Sequence, residues 1–280
     1  MTVKIVTDST SDLTPEIGSK LGITIVPLYI HFGTESYRDG VDITTEEFYQ
    51  KLEHAKVLPT TAVPSPATFA EVYDGLTAVT DEILVIALSS KLSSVYEMEL
   101  QAIKLMKRKC QVQVIDSLAG AMALGLLTIA AAKAVNAGAT LDEVISMTRH
   151  NISRAEIRFT FDTLEYLKKG GRISAAQAYL GSILRVNPIL SLKNGEAYPV
   201  ARKRSRSKAI DYLCDFIKSY SYIEEMAIED ATTPNEAHLL LERINVKFPK
   251  ERIYCTKVSP VVGTHVGPHV LAVSVLGDRG

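Results

Sequence analysis

The sequence predicts an α/β protein of two closely packed domains, one built on a parallel sheet and the other on a mixed sheet. Its 280 residues exceed the usual size of one domain, which is about 150 residues. They are 46% hydrophobic and 22% charged, a composition typical of a globular chain with a sizeable core. Apolar runs of strand length alternate with helical patterns until about residue 155, and strands follow one another more closely after it.

The first half, residues 1–155, is predicted to form the parallel sheet. Its strand runs are almost continuously apolar, as expected when helices cover both faces of a sheet. The helices between them imply βαβ units with right-handed crossovers. Thr44 followed by Glu47, and Ser65 followed by Pro66, are typical starts of two of these helices. The predicted strands are residues 3–7, 23–32, 83–88 and 112–115, and the predicted helices are residues 15–21, 45–55, 66–79, 94–109 and 122–137.

The second half, residues 156–280, is predicted to form the mixed sheet. Asn194-Gly195 favours a two-residue hairpin turn, because both residue types adopt positive φ readily. No Ser-, Gly- or Pro-rich linker separates the halves, so we expect them to pack tightly. The predicted strands are residues 158–162, 188–192, 225–229, 252–258 and 270–276, and the predicted helices are residues 207–219 and 235–247.

Composition and charge exclude several classes of protein. The formal net charge is -1, which argues against a general nucleic-acid binder. The three cysteines form no CxxC and indicate neither a disulfide framework nor a zinc ribbon. The N-terminus carries no secretory pattern, and the most apolar window, residues 121–132, is shorter than the about 20 residues of a spanning helix. We therefore expect a cytoplasmic protein without stable membrane insertion, and a buried core helix at that window.

Three clusters of hydroxyl side chains lie where strands meet helices. Residues 8–12 follow the first strand and are expected chiefly to cap the next helix, with ligand contact as the alternative. Residues 59–66 contain three prolines, which make the segment extended and stiff up to Ser65. Residues 89–94 hold four serines, more than one helix cap requires. Backbone N–H groups at that helix start favour a carboxylate or a phosphate, so ligand binding stands there as an equal alternative to capping.

A fourth polar feature is His265, which stands between Gly263 and Gly267 in a segment expected to be a loop. The two glycines would let the backbone approach a ligand and present the imidazole. His265 and His269 have the spacing of helical metal ligands, but Pro268 disfavours a regular helix and no third ligand is evident. We therefore predict no metal site.

Two basic stretches complete the set of motifs. Residues 168–172 form a glycine-containing turn with three cations, and residues 202–208 carry five cations in seven residues. A solvated face is the commoner role of such a charge run. Docking to an acidic partner or to a phosphate group is the alternative. Sequence motifs for nucleotide binding or catalysis are missing, since the chain has no GxxxxGK, GxGxxG, GxSxG or HExxH pattern.

Taken in order, these segments resemble the DegV family of fatty-acid-binding proteins. Each motif alone is modest, but six motifs in the family's order, from the N-terminus to about residue 270, are specific. The stretches that carry the resemblance are residues 6–12, 59–66, 89–93, 166–174, 187–190 and 263–268.

The resemblance implies a two-domain protein that holds a long-chain fatty acid in a buried tunnel between the domains, without a cofactor. By position, Thr61 and Ser93 look like the hydroxyls that bind the carboxyl group, Ser94 stands beside it, and His265 looks like a further polar contact. The resemblance also implies that the carboxyl is presented to an ATP-dependent fatty acid kinase and that the acyl phosphate is then carried onward, as in bacterial phospholipid metabolism. The residues that look as if they face this kinase are Arg172, Arg202 and Arg204.

The residues alone also allow two other functions. Ser93 with His265 as its base could serve a hydrolase or a phosphotransferase that acts on a small anionic substrate. No orienting carboxylate is evident for it, and Asp116 or Asp162 would have to meet His265 in space. A regulatory protein that docks through its basic patch is the third class.

Overall fold

The protein is an α/β structure with two main sheets that share one central helix. The computed structural model describes residues 2–179, 186–244 and 248–280. The elements before residue 155 are β1 Lys4–Asp8, α1 Pro15–Leu21, β2 Ile23–Val26, β3 Tyr29–Phe32, β4 Glu35–Arg38, α2 Thr45–Glu53, β5 Thr60–Ala62, α3 Pro66–Leu76, β6 Glu82–Ala87, α4 Val95–Leu105, β7 Gln111–Asp116, α5 Ala121–Asn136 and α6 Leu141–Ile152. Those after it are β8 Ala155–Thr160, α7 Glu165–Lys169, β9 Asn187–Lys193, β10 Glu196–Lys203, α8 Arg206–Lys218, β11 Tyr220–Asp230, α9 Pro234–Ile244, β12 Ile253–Lys257, α10 Pro260–Val266 and β13 Leu271–Arg279, with short 3-10 helices at Ser9–Ser11, Ser174–Tyr179 and Lys250–Arg252.

The first sheet confirms the predicted parallel architecture. Its four strands run in the order β2-β1-β6-β7, and every pair is parallel. The predicted helix starts are also confirmed. Thr44 and Glu47 form a reciprocal capping box, and Ser65 accepts a hydrogen bond from the Thr68 N–H at 3.2 Å.

The second sheet is mixed, as predicted. Its six strands run in the order β10-β9-β8-β13-β11-β12, with β11 and β12 parallel and the other neighbours antiparallel. Asn194 and Gly195 have φ of 51° and 83° and form the tight turn between β9 and β10. The helix predicted at residues 235–247 corresponds to α9, which ends at Ile244; residues 245–247 of the prediction lie outside the described residues.

Helix α5 joins the two sheets. Thirteen of its sixteen residues are buried, because it packs against strands of both sheets, including β1, β6, β8, β11 and β13. A helix that is apolar on all sides needs such a double-sided environment. The parallel sheet ends before residue 155 and the mixed sheet starts there, but α5 contributes to both. The division of the chain into two domains at that point stays a prediction.

The prediction of a single strand over residues 23–32 is wrong. It is split into β2 in the parallel sheet and β3 in a separate antiparallel sheet of order β4-β3-β5. Pro27 lies between the two and has no N–H for a ladder, and the next N–H, of Leu28, donates to Ser9 Oγ at 3.1 Å. The chain therefore leaves the first sheet at this proline.

The expectation of a loop around His265 is also wrong, because residues 260–266 form helix α10. Ser259 caps its start by accepting from the Val262 N–H at 3.4 Å, and Pro260 occupies its first turn. The helix ends at Gly267, whose φ is 84°. Pro268 thus follows the helix and does not interrupt it.

Candidate functional site

A cavity of about 450 Å³ lies between the two sheets and α10. Its volume falls in the range of small-molecule pockets, about 300–1,000 Å³. Most of its wall is apolar and comes from both halves of the chain. The apolar lining includes Leu28, Leu88, Met98, Ala121, Phe159, Phe161, Leu190 and Val262.

Thr61 and His265 meet at a polar part of this wall. Strand β5 pairs with β3 so that Thr61 lies opposite Ile30, while the neighbouring Thr60 is exposed. The Thr61 hydroxyl lies 2.9 Å from Nε2 of His265, which α10 brings in from 204 residues further along the chain. When the imidazole proton is on Nε2, the hydroxyl hydrogen of Thr61 is free to donate to an anionic ligand.

Ser93 and Ser94 reach the same cavity at the start of α4. The Ser89 hydroxyl donates to Gly195 O at 2.8 Å, and the Ser93 N–H donates to Ser89 O at 3.2 Å, so the turn is fixed by backbone bonds. Ser94 occupies the N-cap position but makes no side-chain cap bond. Ser93 makes no side-chain hydrogen bond within the described residues. Both hydroxyls, and the first N–H groups of α4, therefore remain available to a ligand.

Burial keeps His265 neutral. Burial, and secondarily the positive charge of Arg172, lowers the pKa of His265 to about 4. Nδ1 of His265 is buried and has no hydrogen-bond partner among the described residues. A neutral imidazole carries a proton on one nitrogen only, so with that proton on Nε2 its single N–H donates to Thr61.

Arg172, which the family resemblance suggests faces the kinase, lines the cavity. Its Nε donates to Leu92 O at 3.0 Å, and its Nη1 donates to Gly170 O at 2.6 Å. These bonds join the turn after α7 to the segment just before Ser93. A positive charge is thereby fixed beside the hydroxyls and the imidazole, where it attracts an anion.

Two glycines allow this close packing. A Cβ on Gly170 would overlap the His265 ring, and a Cβ on Gly267 would overlap the ring of Tyr166. Glycine is therefore required where α10 approaches α7 and the turn after it.

The other two arginines lie at the end of β10, away from the cavity lining. Arg202 is half-buried and donates to Ala178 O at 3.2 Å, which brings the second basic stretch next to the segment that follows Arg172. Arg204 is exposed.

The cluster after β1 does not cap the next helix, contrary to the principal expectation. Asp8 instead caps the 3-10 helix by accepting from the Thr10 N–H at 2.8 Å, and Thr14 caps α1. Thr10 lines the cavity. This is the position that the alternative, ligand contact, requires of residues 8–12. The apolar wall residues were not predicted, because a cavity wall has the same residue pattern as a packed core.

The geometry disfavours a serine nucleophile with His265 as its base. Nε2 of His265 contacts Thr61, and its Nδ1 meets no carboxylate in the described part of the chain. Asp116 accepts from the Ser90 and Leu118 N–H groups, and Asp162 pairs with Arg206. Neither of these carboxylates orients the imidazole, as a catalytic triad requires.

The described ranges contain neither a metal-binding cluster nor a membrane-spanning helix. No group of three or more His, Cys, Asp or Glu side chains in residues 2–179, 186–244 and 248–280 is arranged to hold a metal ion. No helix in the same ranges is long and apolar enough to cross a membrane.

The fold and the cavity together define a class of protein. It is a two-sheet α/β protein with a mostly apolar cavity, and one part of the cavity wall carries hydroxyl, imidazole and guanidinium groups. The sequence matches the DegV family, a family of uncharacterised proteins, over residues 2–278. A DegV domain-containing protein from Caldanaerobacter subterraneus subsp. tengcongensis is 36% identical over 279 residues, covering 97% of each chain. The chain therefore belongs to the DegV family, which confirms the resemblance seen in the motifs.

Two solved structures share this fold closely. A DegV family protein from Thermus thermophilus, solved for its fatty acid binding, is 29% identical with a TM-score of 0.92, covering 99% of this chain and 100% of that one. DegV of Bacillus subtilis, a fatty acid binding protein, is 28% identical with a TM-score of 0.89 and the same coverage.

Proposed function

We infer that this protein binds a long-chain fatty acid in the cavity between its two sheets. The observation that carries the proposal is a cavity whose mostly apolar wall has one cluster of polar donors. Fatty acids have the matching chemistry, a single carboxylate on an apolar chain. Fatty acid binding by DegV proteins of similar structure supports the same ligand.

The carboxylate would lie against Thr61, Ser93 and His265, with Ser94 beside it and Arg172 supplying positive charge. Hydroxyl donors and a fixed cation hold a carboxylate by charge-assisted hydrogen bonds, worth about 1.5–3 kcal/mol each. The acyl chain would fill the apolar part of the cavity, where each buried methylene contributes about 0.8 kcal/mol. Because these terms suffice for tight binding, the proposal requires no cofactor.

Mass spectrometry of the purified protein tests the ligand. The protein is denatured after purification from cells, extracted with organic solvent, and the extract is quantified against protein concentration. We expect one fatty acid per chain. An empty protein that also fails to take up oleate would exclude this function.

The proposal extends to the use of the ligand. We expect the protein to present the carboxylate to an ATP-dependent fatty acid kinase, which transfers the γ-phosphoryl group to a carboxylate oxygen and leaves ADP. The protein would then carry the acyl phosphate. Two features support this: the sequence has no phosphate loop of its own, and the second basic stretch ends in an exposed cluster that includes Arg204.

Trapping with hydroxylamine tests this extension, because acyl phosphates react with it to give hydroxamates. Loaded protein, a purified fatty acid kinase and ATP should yield hydroxamate. Arg204→Glu should reduce the yield, whereas Lys20→Glu, a charge reversal at an exposed position on α1, should not. Equal loss in both variants, or no product with any fatty acid kinase, would contradict a specific kinase-facing surface.

A further inference from the structure

The tip of the β9–β10 hairpin is buried, whereas tight turns usually lie in solvent. Gly195 is buried although its neighbours Asn194 and Glu196 are exposed. The hairpin belongs to the mixed sheet, and its tip lies against the turn that follows β6 of the parallel sheet. A Cβ on Gly195 would overlap Ser89 Oγ, so this close contact requires glycine. The hairpin tip is therefore packed against the first half of the chain.

Ser89 links the hairpin tip to the backbone that carries Ser93. It is fully buried. Its hydroxyl donates to Gly195 O at 2.8 Å and accepts from the Lys91 N–H at 3.2 Å. Its carbonyl oxygen accepts from the N–H groups of Leu92 at 2.9 Å and Ser93 at 3.2 Å. One residue thus holds the turn 89–93 together and attaches it to the other half of the chain.

Other bonds hold the same turn at further points. Arg172 Nε donates to Leu92 O at 3.0 Å, so a second element of the mixed-sheet half contacts the turn just before Ser93. On the parallel-sheet side, Asp116 Oδ1 accepts from the Ser90 N–H at 3.2 Å. Loss of the Ser89 hydroxyl would therefore shift the turn without releasing it.

The position of the Ser93 hydroxyl depends on this turn. Ser93 lines the cavity, and its side chain makes no hydrogen bond within the described residues. Its backbone therefore decides where the hydroxyl lies. Hydrogen bonds weaken steeply when distance and angle depart from the optimum, and a binding group needs to be placed to within about 0.5 Å. A small shift of the turn is enough to weaken a bond from Ser93 to a ligand.

We propose that Ser89 is a positioning residue of the carboxylate site. Its bond to Gly195 O holds the turn 89–93 against the hairpin tip and thereby places the Ser93 hydroxyl for the carboxylate. The site is then complete only when the mixed-sheet half lies against the parallel-sheet half. This inference rests on the proposed function, because it concerns the contact between Ser93 and a bound fatty acid.

Removal of the Ser89 hydroxyl tests the proposal. We expect Ser89→Ala to lower the affinity for oleate by about 3- to 10-fold, because the Ser93 bond is weakened but kept. Isothermal titration calorimetry on the delipidated protein measures the affinity. An unchanged affinity in the folded variant would overturn the proposal.

Thr80→Val is the matched control for this variant. Thr80 is fully buried at the other end of β6, and its hydroxyl also accepts from the N–H two residues further on, that of Glu82, at 3.0 Å. It lies away from the cavity lining. Its loss should lower stability while the affinity for oleate stays at the wild-type value. An equal loss of affinity in Thr80→Val would show a general effect of destabilisation and would contradict positioning.

A double-mutant cycle separates positioning from a merely structural role. If Ser89 acts through Ser93, then Ser89→Ala should change the affinity by less than about twofold once Ser93→Ala is present. Independent effects would instead multiply. A full loss from Ser89→Ala in the Ser93→Ala background would overturn the proposal.

The environment of the bound carboxylate gives a second readout. Oleate with an isotope-labelled carboxyl carbon is bound to each protein and followed by NMR. Its carboxyl resonance should move in the same direction in Ser89→Ala as in Ser93→Ala, and should stay at the wild-type position in Thr80→Val. A resonance that Ser89→Ala leaves unchanged would contradict the proposal.

Gly195→Ala tests the same contact from the hairpin side, which covers the case in which Ser89→Ala does not fold. The added methyl group would push the tip away from Ser89, so affinity should fall as in Ser89→Ala. Gly138→Ala is its control, since Gly138 also has positive φ but open space around it. Equal oleate affinity in these two glycine variants would count against the contact.

The wild type separates this inference from the proposed function. A wild-type protein that fails to bind oleate would contradict the proposed function and this inference with it. Wild-type binding that persists at full affinity in folded Ser89→Ala and Gly195→Ala would overturn the positioning role alone.

Discussion

At the scale of single residues, the hydroxyl of Thr61 has two roles in the proposed site. It contacts Nε2 of His265 at 2.9 Å, and its hydrogen can be directed to a carboxylate. The strand that carries it places the chemically identical Thr60 in solvent. This pair of neighbours offers a matched test of the site.

We expect Thr61→Val to weaken fatty acid binding by about 10- to 100-fold, because the variant loses a charge-assisted bond worth about 1.5–3 kcal/mol. Valine preserves the shape and the strand preference of threonine, so the fold should persist. Ser93→Ala should act in the same direction. Titration with a fluorescent fatty acid measures the affinity, with Thr60→Val as the control. Unchanged affinity in both Thr61→Val and Ser93→Ala would contradict this placement of the carboxylate.

His265 should also leave a signature in the pH dependence of stability. Its pKa is about 4 when folded and about 6.5 when unfolded, so the unfolded chain binds more protons between these values. Acidification from about pH 7 to about pH 5 should therefore cost about 2 kcal/mol at this residue. Urea unfolding at both pH values measures the free energy of unfolding of the wild type and of His265→Gln. The wild type should lose this amount relative to the variant on acidification. Parallel stability curves for the two proteins would rule out a buried neutral histidine.

At the scale of elements, helix α10 supplies the imidazole of the polar site. It is only seven residues long, and its position depends on Ser259 at its start and on Gly267 at its end. Gly267 has φ of 84° and lies against the ring of Tyr166 on α7. Because Gly267 has no side chain, α10 can lie this close to α7.

We expect Gly267→Ala to destabilise the protein more than Gly138→Ala. Gly138 has φ of 99° but open space around it, so alanine there costs about 1 kcal/mol from backbone strain alone. At Gly267 the clash with Tyr166 adds about 1–3 kcal/mol and should move His265. Chemical unfolding and fatty acid affinity together measure both effects. Equal losses at the two glycines would show that α10 adapts without strain.

At the scale of the whole molecule, the cavity is formed by both halves of the chain. Its wall includes Thr61 and Ser93 from the first half, and Phe159, Leu190 and His265 from the second. A ligand in the cavity would therefore contact residues of both sheets, as α5 does.

We expect a bound fatty acid to raise the melting temperature of the delipidated protein. At a free concentration 100 times the Kd, binding stabilises the folded state by about 2.7 kcal/mol. That corresponds to about 5 °C or more for a chain of this size. Differential scanning calorimetry measures the shift, with the methyl ester of the same acid as the matched control. An equal shift with the ester would contradict recognition of the carboxylate.

Much of the architecture could be predicted from local patterns along the chain. Apolar periodicity identified the parallel sheet, and the all-apolar window identified α5 as a buried helix. Helix α6 was missed, although Thr140 and Glu143 form a capping box like the one recognised at Thr44. Helix α10 cannot be recognised from the sequence in the same way, because Pro268 disfavours a helix that runs from His265 to His269, whereas α10 ends at Val266.

The sequence by itself determined the α/β class, the DegV resemblance and the hydroxyl and imidazole residues of the candidate site. Each of these depends on residues close together in the chain or on motifs in a fixed order. Only the tertiary structure decided that His265 meets Thr61 and that Arg172 lines the cavity, bonded to Leu92 O. These contacts join residues 80 or more positions apart, and sheet order and helix packing set them. Local periodicity does not encode that order, because a residue's pattern along its own element is the same whichever partner it packs against.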